Sequence, residues 1–125
     1  MGGLHMTGRS GNVAALSLVL WTLPAAAQGP FQTFWKAFQA AVVRNDKPVM
    51  ARMTRLPIYL DSTITDRATL VRALDRLFDA DTRACFAKAK PERDKNYYSV
   101  RCGQLVFGFD GNEGTWKFTG TNPVQ

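Results

Sequence analysis

Phe31, Phe34, Trp35, Phe38, Ala41 and Val42 follow one another at steps of three and four. That is the period of one face of a helix, and Pro30 can stand in its first turn, where a missing N–H costs nothing. Lys36, Gln39 and Arg44 fall away from the centre of the face. Four aromatic side chains burying about 200 Å² each represent gross stabilisation on the order of 20 kcal/mol before chain entropy is set against it, so the stripe is predicted to be the inside of the fold. Asn45-Asp46-Lys47-Pro48 ends this helix and caps a shorter one, with Val49, Met50 and Met53 inward and Arg52 and Arg55 outward. Leu56 to Leu60 (LPIYL) suits an edge strand, because Pro57 cannot donate to a ladder. Thr65 is then expected to cap a second amphipathic helix, Asp66 to about Phe78, which buries Leu70, Leu74, Leu77 and Phe78 and sets Arg72 near Asp75 and Arg76 near Asp79 on its surface. Asp81 is expected to cap one or two further turns that hold Cys85 and Phe86.

Beyond Lys88 to Lys95 (KAKPERDK), which reads as a solvated turn, the period falls from 3.6 to 2. Tyr97 to Cys102, Gln104 to Phe109 and Thr115 to Thr121 form three strands in this reading, with Leu105, Phe107 and Phe109 on one face and Trp116 and Phe118 on the matching face of the next. Asp110 to Gly114 (DGNEG) is a hairpin loop, and Gly103 marks either a turn or a bulge in one longer strand. Helices first and antiparallel strands after predict an α+β fold in which N-terminal helices pack on one face of a curved antiparallel sheet.

The first residues are read differently. Arg9 precedes the apolar run Val13 to Leu23, and Pro24 leads into Ala25-Ala26-Ala27, the small residues a signal peptidase accepts. The apolar run falls short of the roughly 20 residues of a membrane-spanning helix. A cleavable signal peptide over 1–27 is therefore preferred to an uncleaved anchor, with a single domain over 28–125, periplasmic or secreted and without a membrane span after processing. The 125 residues carry 16 basic and 10 acidic side chains, a net charge of +6 that falls by one when Arg9 leaves. Its densest stretch mixes Glu92 and Asp94 among the cations, so no phosphate track and no nucleic-acid partner are expected.

The only histidine, His5, lies in the leader. The domain therefore has no imidazole for a Ser-His-Asp or Cys-His relay or for zinc, and its acidic residues are too scattered to gather hard-cation ligands, so no metal and no cofactor are expected. Cys85 and Cys102 are the whole thiol inventory. In an oxidising compartment an even pair suggests a disulfide worth roughly 3 kcal/mol for a loop of this length; two buried thiols or a redox pair without the Cys-X-X-Cys spacing are the alternatives.

FWKAFQAAVVRNDKPVMARMTRLPI at the start and YYSVRCGQLVFGFDGNEGTWKF at the end resemble the small exported bacterial proteins of the nuclear-transport-factor-2-like superfamily, the cystatin-like fold. The resemblance implies a sheet wrapped around the helices to leave a conical pocket, used by some members for isomerase or dehydratase chemistry and by many for binding. It transfers no catalytic role to a numbered position. The candidates for catalysis are generic: Asp61 beside Tyr59, with Tyr97 or Tyr98, could supply a carboxylate and a phenol at a pocket mouth. Set against that is a turn at Asp61-Ser62-Thr63 and tyrosines that merely pack. Ser62 and Ser99 have no basic partner. The favoured reading is a non-catalytic periplasmic binding or accessory module for a small apolar ligand or a protein partner, a homodimer included. A cofactor-free lyase or isomerase using a pocket Asp and Tyr is the second reading, and a structural role at the envelope the third.

Overall fold

The computed structural model describes residues 29–125. The proposed signal peptide and its cleavage site lie outside the described residues. The chain divides into two units, Met1–Thr33 and Phe34–Gln125. Of the first, only the opening of helix α1 is described. The elements are α1 (Gly29–Arg44), α2 (Lys47–Arg52), β1 (Ile58–Leu60), β2 (Ser62–Ile64), α3 (Arg67–Leu77), α4 (Ala80–Lys88), β3 (Glu92–Asp94), β4 (Tyr97–Cys102), β5 (Leu105–Asp110) and β6 (Lys117–Pro123). The architecture is α+β. β3-β4-β5-β6 form an antiparallel sheet in that order, and β1 and β2 form a separate antiparallel hairpin.

The helical stripe is buried at Phe31, Trp35, Phe38, Ala41 and Val42, while Phe34 is half-buried. Phe38 stacks on Phe34 at 5.7 Å and meets Phe109, Phe118, Phe78 and Phe86 at 5.4, 5.8, 6.1 and 6.3 Å between ring centres. Phe78 and Phe86 each close on Phe107, at 5.3 and 5.0 Å, and Trp35 bridges Phe86 and Phe109. All these separations lie in the range where offset and edge-on ring pairs attract. Phe38, Phe78 and Phe86 come from the helical segments, and Phe107, Phe109 and Phe118 from adjacent sheet strands, so the rings join the helices to one face of the sheet.

Loop chemistry fixes the entry of each element. Asn45 takes φ 59° to end α1, and the Asp46 carboxylate accepts from Val49 N–H to start α2. Met53–Arg55 then runs beside β6: Phe118 N–H donates to Met53 O and Arg55 N–H donates to Phe118 O, both at 2.9 Å. Buried Thr54 satisfies its hydroxyl on Met50 O at 2.8 Å. Gln39 Nε2 donates to Phe86 O at 2.8 Å, a carbonyl at the end of α4 that also accepts from the Ala89 N–H at 3.3 Å. Cys85 on α4 and Cys102 on β4 are joined by a disulfide.

Several expectations are corrected. The strand expected over Leu56–Leu60 begins only at Ile58, after a cis Leu56–Pro57 bond, and Ser62-Thr63, expected in a turn, lies in β2. Asp66 rather than Thr65 caps α3, and Asp79 rather than Asp81 caps α4, because each carboxylate reaches the amide three residues on (Thr69 and Thr82, both 2.9 Å). Asp79 is thereby committed to its helix, and Asp75 meets Lys47 Nζ of α2 at 3.3 Å instead of Arg72. Val49 and Met53 are half-buried, not fully inward. The KAKPERDK stretch contains β3, whose three polar residues pair with Tyr97–Ser99. Gly103, at φ 64°, makes a tight turn between two strands rather than a bulge. Trp116 precedes β6 and packs edge-on against Tyr98 at 5.4 Å.

Phe38→Ala is expected to cost about 3–5 kcal/mol in denaturant unfolding, since it removes the ring shared by five others, whereas Val43→Ala on the exposed side of α1 should change stability by less than about 0.5 kcal/mol. Thiol titration of the unfolded, unreduced protein should find no free thiol.

Candidate functional site

The residues singled out for chemistry lie on or beside β1 and on β4. Tyr59 is 65% exposed, and Asp61, at φ 68°, sits at the exposed turn between β1 and β2. Asp61 lines a groove that also reaches Cys102 at the far end of β4. Tyr97 begins β4, five residues away and therefore about 16 Å along the strand.

The groove at Asp61 is built from five segments, one of them β6 through Thr121. The β1–β2 turn contributes Leu60 and Asp61, the end of α3 gives Arg76 and Leu77, and the start of α4 gives Asp79 and Thr82; the β4–β5 turn closes it with Gly103, Gln104 and Leu105. Its volume is about 410 Å³. Half-buried Leu60, Leu77 and Leu105 provide apolar surface, and exposed Asp61, Arg76, Asp79 and Gln104 form the rim. Two local devices shape it. Gly103 takes the left-handed conformation that lets β4 turn back into β5 with only Gly103 and Gln104 between them. Asp79 adopts an extended backbone that breaks α3 from α4. The Asp79 carboxylate is held below its ordinary range by hydrogen bonds from the backbone and hydroxyl of Thr82, with a smaller contribution from Arg83. It is a fixed anion at a helix start, not a base waiting for a proton.

Tyr97 lies on the opposite face of the sheet from the ring cluster. Its ring crosses β5 at Gly108, where a Cβ would collide with the phenol oxygen and stand 3.1 Å from the ring edge. Burial, and then the nearby Asp110 carboxylate, push the phenol above its ordinary value, so it stays a proton donor at neutral pH. Asp110 is itself engaged by Arg55 Nη1 and accepts from Asn112 N–H at 3.2 Å. Arg55 also approaches Glu113 at 3.6 Å and donates to Thr115 O at 3.2 Å. This cluster binds the β5–β6 loop to Arg55, the residue that follows the parallel bridge to β6.

Among the described residues, no group of three or more His, Cys, Asp or Glu is placed to hold a metal, and no helix is long and apolar enough to cross a membrane. No family model matches the chain, and neither curated proteins nor solved structures give a match. The groove residues that sequence reasoning missed are Arg76, Thr82 and Gln104, together with the groove-facing role of Leu77 and Leu105. The only signals for them were the flanking Gly103 and Asp79.

Gly108→Ala should force the Tyr97 ring off the sheet and return its phenol toward the ordinary value, read as an earlier rise in tyrosinate absorbance during alkaline titration. In the parent protein the folded phenol holds its proton past the unfolded value of 10.0, so Tyr97 contributes a loss of stability as pH rises through that value.

Proposed function

We propose that this chain is an exported, non-catalytic binding or accessory module that holds a protein partner across the groove between the β1–β2 turn, the α3–α4 junction and the β4–β5 turn. One observation carries the reading: Phe38, Phe78, Phe86, Phe107, Phe109 and Phe118 are fully buried and occupy the space between helices and sheet where an enclosed ligand would otherwise sit. Small-molecule sites bury some 70–90% of their ligand. A depression rimmed by exposed Asp61, Arg76, Asp79, Gly103 and Gln104 is suited to side chains projecting from another protein, with leucines to receive an apolar residue and charges of both signs to orient it.

The resemblance to nuclear-transport-factor-2-like proteins belongs to the same proposal. Helices leading into an antiparallel sheet support it, and the conical pocket of that superfamily would here be closed by phenylalanine. The disulfide and the leader-like first residues are compatible with an oxidising compartment outside the cytoplasm. A cofactor-free lyase or isomerase using Asp61 and a tyrosine is the second reading, and the exposure of Asp61 and Tyr59 to solvent favours it less.

A photo-crosslinking amino acid placed at Gln104 or Asp61, in a host that exports the protein, should give one discrete adduct, and the same probe at Val43 on the far side of α1 should give none. Leu105→Asp in a second variant should abolish the Gln104 adduct without unfolding the chain. Equal labelling at all three positions, or none at the groove together with saturable thermal stabilisation by a small apolar acid, would overturn the partner reading.

A further inference from the structure

The two ends of the disulfide differ in their access to solvent. Cys102 stands on the ring-facing side of β4 with Val100, and it is 4% exposed. Cys85 is half-buried on α4, a helix that buries only Phe86. Around it on that helix Asp81, Ala84 and Lys88 are exposed. The Cys85 sulfur makes an exposed contact of 3.7 Å with Arg101 O, and Cys85 borders a surface depression of about 480 Å³.

Thiol–disulfide exchange begins when a thiolate reaches one of the two sulfurs, so the rate and the product depend on which sulfur is open. From this difference we infer that the Cys85–Cys102 bridge is an exchange site for a partner protein carrying a reactive dithiol, and that the partner enters at Cys85. One partner thiol loses its proton and attacks Cys85 Sγ. A sulfur–sulfur bond forms there, the bond to Cys102 breaks, and its electron pair leaves on Cys102 Sγ, which takes up a proton. The partner's second thiol then loses its proton and attacks the partner sulfur of the mixed disulfide, and the electron pair leaves on Cys85 Sγ, which is protonated in turn. Two electrons and two protons pass to this chain, and the partner keeps the disulfide. The reverse sequence installs the bridge, with Cys85 as the first thiolate to attack.

A thiolate released into an apolar interior is a poor leaving group, so a mixed disulfide with a simple thiol tends to collapse back and net opening needs the dithiol. The interior does not rest on the bridge. Phe86 is held by Phe78 and Phe107 at 5.3 and 5.0 Å, so opening the bridge frees the end of α4 while the rings stay packed.

The test treats the folded, disulfide-bonded protein with glutathione, stops the reaction with acid, and alkylates the remaining thiols after unfolding. Trypsin then separates Cys85, in Ala84–Lys88, from Cys102, in Cys102–Lys117. Glutathione is expected on the first peptide in about tenfold or greater excess over the second, and the excess should vanish in guanidinium, where both sulfurs are open. A dithiol oxidoreductase whose second, resolving cysteine has been replaced should be captured on the same first peptide. Equal labelling of the two peptides in the folded protein, an excess on the second, adducts that form no faster than the chain unfolds, or no capture of the oxidoreductase would overturn the site. The exchange site does not depend on the groove at Asp61, so its failure would leave the partner reading untouched.

Discussion

The ring of Phe38 is the contact on which the other contacts of residues 34–125 depend. It touches Phe34 on its own helix, Phe78 at the end of α3, Phe86 on α4, and Phe109 and Phe118 on neighbouring strands. Apart from Phe34, each partner belongs to or adjoins an element too short to be stable alone: α4 has nine residues and buries only Phe86. Short helices in water are marginal, so their order comes from the apolar surface they share. Close-packed rings also leave little free volume between helices and sheet.

On that surface the disulfide acts as a strut between α4 and β4. Other ties of α4 to the rest of the chain include the Phe86 ring, the Gln39 bonds to the Phe86 and Ala87 carbonyls, and the Arg83 bond to the Phe78 carbonyl at 2.8 Å. The bridge fixes the helix where these polar ties are sparse, and in doing so shapes a depression on each side. One is mixed in character, with leucines and both signs of charge, and the other borders Cys85.

Much of the interior was legible because burial imposes a period. The three- and four-residue steps of Phe31 to Val42 and the alternation through Val100, Phe107 and Phe109 are patterns that only a helix and a two-faced sheet can use. The short strands were not legible. Glu92-Arg93-Asp94 has little strand propensity and takes its conformation from pairing with Tyr97–Ser99, and Ser62-Thr63-Ile64 is too short for a period to show, becoming a strand through its pairing with Ile58–Leu60. Charge partners were equally hidden, since Asp75 looks like a mate for Arg72 until the fold brings Lys47 of α2 beside it. The groove escaped for the same reason. Leu60, Arg76, Thr82 and Gln104 are spread over more than forty positions and become neighbours only when the β1–β2 and β4–β5 turns and the α3–α4 junction are in place.

The most direct test of a ring-filled interior is the solvent paramagnetic relaxation enhancement of phenylalanine ring protons with a soluble gadolinium chelate. The account predicts that Phe38, Phe78, Phe107 and Phe118 relax no faster when the chelate is added, while the exposed ring of Tyr59 does. Strong enhancement at Phe38 or Phe118 would mean that solvent enters between helices and sheet, and would contradict the ring-filled interior from which the proposed surface site is argued.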